Sequence, residues 1–209
     1  DLCASRGLGD VYKRQGVVNT EYSETIDGIE NTFAVNHLGY FLFTNLLLDL
    51  VKKESESRII NVSSAAHHFV KGMQWDDINY KDDFKMGLKA YGQSKLGNIL
   101  FTKQLAKKLQ KDGVTVNAIH PGGVNTSLGN QNNSLLGRVL KIILKPFFRS
   151  PLKGANTIIY LAEINGLSIT GAYWVDGRVA KTSHYSKNEA EAEKLWRLSE
   201  KLVNQEFDI

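Results

Sequence analysis

"KAYGQSKLGNILFTKQLAKKLQKDGVTVNAIHPGG", residues 89–123, changes character at Gly113. Before that glycine, apolar residues recur at helical spacing among lysines and glutamines, which predicts a long helix that the glycine stops. After it, "VTVNAIH" is a short, largely apolar run closed by Pro121 and Gly122, the pattern of a strand buried on both faces and ended by a turn. A helix that feeds such a strand is half of an α/β unit, so the neighbouring sequence should alternate in the same way.

It does so in both directions. Upstream, "RIINVSS" (58–64) reads as another buried strand. Before it, Ile26, Ile29, Phe33, Val35, Leu38, Phe41, Leu42, Leu46 and Leu50 predict one long helix, or two nearly collinear ones, from Ser23 to about Lys53. Downstream, "SPLKGANTIIYLAEI" (150–164) opens with a capping serine and a first-turn proline, "GAYWVDG" (171–177) is a short strand, and "NEAEAEKLWRLSEKLV" (188–203) is an amphipathic last helix. The order implies parallel strands joined by right-handed crossovers in a three-layer α/β sheet.

Composition narrows the function classes. A chain of 209 residues with 42% hydrophobic content can bury one core, and one domain is expected. The most apolar run, "YFLFTNLLLDLV" (40–51), is broken by Thr44, Asn45 and Asp49, so it reads as a core helix and not a membrane span. No apolar stretch near the start reads as a secretory signal. The single cysteine, Cys3, excludes an intrachain disulfide and a cysteine-based zinc site. The formal charge of +4 sits largely on helix faces with no basic, aromatic-interleaved stripe, which argues against nucleic-acid binding.

In an open parallel sheet, ligands bind beyond the carboxyl ends of the strands. One strand ends in Ser63-Ser64 and is followed by a polar excursion of about 26 residues, long enough to be functional. Another ends in His120-Pro121-Gly122, where a glycine permits close approach to a ligand. Tyr91 and Lys95, four residues apart, share a helical face close to the first of these ends. With eight tyrosines in the chain such a pair also arises by chance, and its placement is what raises it. An ammonium about 4 Å from the phenol, at an effective dielectric near 20, is worth up to ~4 kcal/mol, or about three pKa units toward neutrality. Tyr91 could then exchange protons with an alcohol or carbonyl, and Ser63 or Ser64 could hold the substrate oxygen. The adjacent His67-His68 pair has no acidic or cysteine neighbours to suggest a metal and no G-x-S-x-G elbow to suggest a hydrolase, so it reads as loop structure.

Serine, then Tyr-x-x-x-Lys, then Pro-Gly on successive elements resembles the short-chain dehydrogenase/reductase family. "TFAVNHLGYFLFTNLLLDLV", "RIINVSSAAHH", "AYGQSKLGNILFTKQLAKKL", "VTVNAIHPGGVNTSLG" and "KLWRLSE" are similar to its retinol dehydrogenase-like branch, from about Gly16 to about Val203. The resemblance implies an NAD(P)-dependent oxidoreductase acting on an apolar alcohol and its aldehyde or ketone, with NADP(H) favoured over NAD(H). It implies Tyr91 as general acid/base, Lys95 as the group that lowers its pKa and binds the nicotinamide ribose, and Ser64 as the holder of the substrate oxygen. Asn36 matches the asparagine that completes the tetrad; without the family it reads as a helix residue facing solvent. Pro121, Gly122, Val124 and Thr126 match the segment that lines the nicotinamide.

The start of the chain does not fit this family. "RGLG" (6–9) imitates the glycine-rich loop after the family's first strand, yet Gly16 already stands where its later "NNAG" ends. The residues between cannot hold the intervening strands and helices. Residues 1–15 are therefore expected to be foreign sequence, and 16–209 the C-terminal part of a Rossmann-like domain without its first strands and glycine-rich loop. Such a chain is expected to be inactive by itself, the activity belonging to a full-length parent; the alternative is a non-catalytic interaction module. "SLLGRVLKIILKPFFRS" (134–150) falls where the family covers its substrate, and its stripe of Arg138, Lys141, Lys145 and Arg149 also suits peripheral contact with an anionic membrane. The resemblance further implies a homodimer, through the last helix and "KGANTIIYLAEI", and an intracellular parent associated with endoplasmic reticulum or mitochondrion.

Overall fold

Strands apolar on both faces need cover on both sides, and the computed structural model, which describes residues 16–54, 56–122 and 151–209, supplies it. Strand β1 (Arg58–Val62) pairs in parallel with β2 (Thr115–His120), Ile59 beside Val116 and Val62 beside Ile119. β2 pairs in parallel with β3 (Tyr173–Val175), and the two-residue β4 (Arg178–Val179) returns antiparallel. The expected strands are parallel, and β4 is an addition to them: Asp176 and Gly177 both take positive φ, the Asp-Gly hairpin geometry, and fold the chain back on β3.

On one face, Ile59 and Val116 meet helix α1 (Asn31–Val51) and helix α2 (Leu88–Lys108) in a core that includes Phe41, Leu48, Phe101 and Leu105. On the other, Ile60, Val62, Ile119 and Trp174 pack on Ile158 and Leu161 of helix α3 (Pro151–Glu163). Arg58 fixes that second layer by donating to the carbonyls of Leu161 and Ala162 at the carboxyl end of α3, both at 2.8 Å. The three-layer, Rossmann-like reading holds for the described residues.

Helix α4 (Glu189–Leu202), capped by Asn188, lays Ala192, Leu195, Trp196 and Ser199 against the outside of α2. Trp196 meets Phe41 edge-on at 4.9 Å and stacks with Phe101 at 5.8 Å. The apolar face of this last helix therefore packs inside the chain.

The first helix departs most from its sequence reading. It begins at Asn31, not Ser23, because the Glu30 carboxylate caps it, accepting from the backbone N–H groups of Thr32 and Phe33 at 2.7 Å each. Ile26, which fits the helical spacing, is fully exposed on a turn before it. Residues Ala34–Leu38 form a π-helical turn before regular helix resumes at Gly39–Val51. By length and composition α1 could cross a membrane, contrary to the reading of its apolar run, but its Phe33, Phe41 and Leu48 lie in the core.

Candidate functional site

The carboxyl end of β1 divides its two serines. Ser63 continues the ladder, its N–H donating to the Ile119 carbonyl at 2.8 Å, and its buried hydroxyl donates to the Lys95 carbonyl at 2.8 Å. It ties the helix to the strand. Ser64 stands at the mouth, half-buried, where its Oγ accepts from the Ala66 N–H at 3.2 Å and its hydroxyl shares a hydrogen bond with the Tyr91 phenol.

Tyr91 reaches Ser64 because Gly92 lets α2 come close. A Cβ at Gly92 would lie 2.7 Å from the Ala66 carbonyl oxygen, inside van der Waals contact with backbone that cannot swing away. One turn further on, Lys95 is 3% exposed, with its Nζ 5.4 Å from the Tyr91 ring centre and 6.0 Å from that of Tyr40. The spacing of Tyr91 and Lys95 therefore does bring both to the end of β1.

Their protonation differs from the sequence reading. Burial pushes the Tyr91 phenol up, opposed by the hydrogen bond with Ser64, and Lys95 is not among the groups that lower it. Burial also pushes the Lys95 ammonium down, to about 8. A pocket dry enough to strengthen their attraction also penalises each charge. Tyr40 and Tyr173, both buried, are likewise pushed up beside Tyr91.

Asn36 does not face solvent. It lies fully buried in the π-helical turn, where its Oδ1 accepts from Val17 N–H at 2.8 Å and its Nδ2 donates to Val17 carbonyl at 2.9 Å. The same Nδ2 reaches Ser94 Oγ at 3.2 Å, and Ser94 donates to the Tyr91 carbonyl at 2.8 Å. Asn36 thereby fastens the segment after Gly16 to the helix of Tyr91 and Lys95. Such π turns are frequent at functional sites.

At the end of β2, Pro121 and Gly122 are half-buried, and Gly122 has φ +83°, open to glycine without strain. Val124, Thr126, the stretch 134–150 and residues 1–15 lie outside the described residues. Among the described residues no cluster of histidine, cysteine or acidic side chains could hold a metal.

Sequence reasoning missed a buried polar row on α2. Ser94, Asn98 and Thr102, four apart, meet Asn36, the Val62 carbonyl and Asn61 respectively, at 3.2, 3.0 and 2.9 Å. Buried His37 extends the row, its ring 3.4 Å from Asn98 Oδ1 and 2.9 Å from Ser199 Oγ on α4. The i, i+4, i+8 spacing of small polar residues on a helix with few exposed positions was the available signal.

Residues 12–177 match the family described as Enoyl-(Acyl carrier protein) reductase. Retinol dehydrogenase 14 of Mus musculus is 42% identical over 193 residues, which is 90% of this chain and 57% of that protein. The chain therefore spans little more than half the length of this relative. The crystal structure of an uncharacterized protein from Mycobacterium Paratuberculosis superposes with TM-score 0.69 at 29% identity, covering 93% of this chain and 66% of the other. The NADPH-bound carbonyl reductase from chicken fatty liver, 18% identical, shares the fold with TM-score 0.53 over 80% of this chain and 63% of its own.

Proposed function

This chain belongs to the short-chain dehydrogenase/reductase family, and on that premise we propose that its site serves an NAD(P)-dependent oxidoreductase that interconverts an apolar alcohol and its aldehyde or ketone. The observation that carries the reading is the Ser64–Tyr91 hydrogen bond with the Lys95 ammonium one helical turn away. The name of retinol dehydrogenase 14 supports a retinol-like substrate.

In this reading the Tyr91 phenol passes its proton to the carbonyl oxygen in reduction and takes it back in oxidation, while Ser64 donates to that oxygen and disperses the charge on it. Asn36 keeps the two helices in register. A buried ammonium with three donors, which no carboxylate pairs with among the described residues, suits the hydroxyls of a nicotinamide ribose. Lys95 would hold that ribose, with Pro121 and Gly122 against the ring, and Val124 and Thr126 follow from the family pattern. When bound, the nicotinamide supplies or accepts the hydride. NADP(H) is the favoured form.

The phosphate cradle of the family has no counterpart among the described residues. We assign the activity to a chain that carries one and read residues 1–15 as foreign to it. Sequencing the source transcript across the codons for Gln15 and Gly16 tests that assignment: continuous native coding upstream of Gly16 is expected, and a genuine junction there would overturn it. With the upstream residues in place, retinal-dependent NADPH oxidation is the assay, and Tyr91→Phe is expected to lower turnover at least about a hundredfold. An unchanged rate in that variant would end the proposal. Membrane contact through 134–150 is tested by flotation with liposomes, where Lys141→Glu with Lys145→Glu is expected to abolish binding.

A further inference from the structure

His67 has no part in the mechanism above, yet its ring is fully buried while its neighbour His68 is exposed. The chain after β1 turns through a 3-10 helix, Ala65–Phe69, in which residues three apart eclipse one another. That turn sets His67 over Ser64. The His67 Nδ1 is 2.6 Å from the Ser64 carbonyl oxygen, and the His67 backbone N–H donates to the same oxygen at 3.2 Å. On the far side of the ring, Nε2 is 3.2 Å from the backbone nitrogen of Ser183, in the segment that follows β4.

These partners leave one arrangement of protons. A carbonyl oxygen only accepts, so Nδ1 carries the hydrogen; a backbone N–H only donates, so Nε2 carries the lone pair. The neutral Nδ1–H imidazole satisfies both contacts, whereas an imidazolium would set its second N–H against that of Ser183. Around the ring stand Tyr173 of β3, edge-on at 5.2 Å, His68 at 4.0 Å, and His120 at the end of β2. None of these is an acid that would favour a second proton, and burial holds the ring neutral, with its pKa pushed down to about 4.

We propose that His67 is a positioning residue for the Ser64 hydroxyl: a neutral strut that clamps the Ser64 peptide between the end of β1 and the Ser183 segment, and so holds Oγ toward Tyr91. With the carbonyl held by Nδ1–H and Oγ accepting from the Ala66 N–H, the peptide and one lone pair of the Ser64 hydroxyl are fixed, which narrows where its O–H can point. The proposal rests on the reading of Ser64 and Tyr91 as the reacting pair. It adds that the strand end acts only while the segment after β4 is docked on it.

The test uses the 209-residue chain and needs no turnover. Long-range proton–nitrogen spectra of the histidine rings, with His67 assigned by its loss in His67→Asn, are expected to show an Nδ1–H tautomer unchanged from pH 7 to pH 5.5. An Nε2–H tautomer, or protonation near the ordinary histidine value, would overturn the proposal, and both are read on the unaltered chain once His67 is assigned. The Tyr91 Cζ chemical shift then reports its bond with Ser64. Ser64→Ala is expected to move it, His67→Phe to move it the same way, the double variant no further than Ser64→Ala, and His67→Asn, which can still donate to the Ser64 carbonyl, to restore at least half. A Tyr91 signal indifferent to a folded His67→Phe chain would refute the strut. In an active, longer chain the same variant is expected to lower kcat about tenfold with KM within twofold. Absence of oxidoreductase activity in the unaltered longer chain would defeat the functional reading alone and leave the nuclear resonance outcomes to judge His67.

Discussion

Helix α2 carries Tyr91 and Lys95 on regular turns buried on nearly every side, whereas α1 carries Asn36 in a π-helical turn and leaves Gly39, Phe43, Leu46 and Leu50 exposed along one edge. The first is held in place by strands, turns and α4 packed around it. The second is held by specific polar bonds at its start, from Glu30 to its own first turn and from Asn36 to Val17. A helix enclosed by packing keeps its geometry when one polar bond is lost. One packed on one side only, with its start resting on such bonds, should be less tolerant of their loss, and the two can be set against each other by experiment.

The largest expected effect is on the bridge between them. His37 of α1 is buried against Asn98 of α2 and Ser199 of α4, and burial pushes its pKa down from 6.5 to about 4. The unfolded chain takes up a proton as pH falls through 6.5, and the folded chain does so only near 4, so unfolding is favoured progressively across that window. Stability is complete above pH 6.5, falls by ~3 kcal/mol on the way to pH 4 through this group alone, and falls no further from it below that. Urea midpoints at pH 7 and pH 4.5 measure the loss. His37→Phe is expected to flatten the slope by about half, since His67, also pushed down to about 4, contributes the rest.

Next is the close approach on α2. Gly92→Ala sets a Cβ 2.7 Å from the Ala66 carbonyl oxygen, and the first turn of the helix must move off the turn after β1. Enclosure keeps the helix itself intact, so the harm should appear in the distance from Tyr91 to Ser64. In the longer, active chain a shift of that kind is expected to cost about a hundredfold in turnover, with a much smaller change in the unfolding midpoint. Comparable losses in rate and stability would place the two helices in one class.

Asn36→Ala should show the reverse order. It leaves Val17 N–H and carbonyl without their side-chain partner and removes the link to Ser94, at an expected cost of ~2 kcal/mol in urea unfolding. Asn98→Ala on α2, which loses its bond to the Val62 carbonyl and its longer contact with the His37 ring, should cost somewhat less, because the packing around α2 stays in place.

The same contrast governs what could be read from the sequence. On α2 the period, the stop near Gly113 and the Tyr-x-x-x-Lys face are local facts, and the structure does place Tyr91 and Lys95 beside the end of β1. On α1 periodicity ran through Ile29 and Ile26 into a turn, because a glutamate cap and a π turn leave the apolar spacing almost unchanged. The role of Asn36 depends on Val17, nineteen residues earlier and in no periodic relation to it. His67 escaped for a similar reason, since its second partner, Ser183, is 116 residues away. β4 was missed because two residues are too short to carry a pattern.

The smallest prediction sharpens the contrast most directly. Gly39 follows the π turn on the exposed edge of α1, and a Cβ built there meets only the Ala34 carbonyl oxygen, at an ordinary 3.6 Å. Glycine inside a helix costs ~1 kcal/mol relative to alanine, through the freedom of the unfolded chain. If the π turn is set by Asn36 and needs no give at its end, Gly39→Ala stabilises the chain by up to ~1 kcal/mol and leaves the Tyr91 Cζ signal where it was. If the glycine instead lets the turn form, the same substitution destabilises and moves that signal, because Ser94 and Asn36 would lose register. Glycine at 92 is required by a neighbour 2.7 Å away; glycine at 39 has no such neighbour, and its replacement should therefore be a gain.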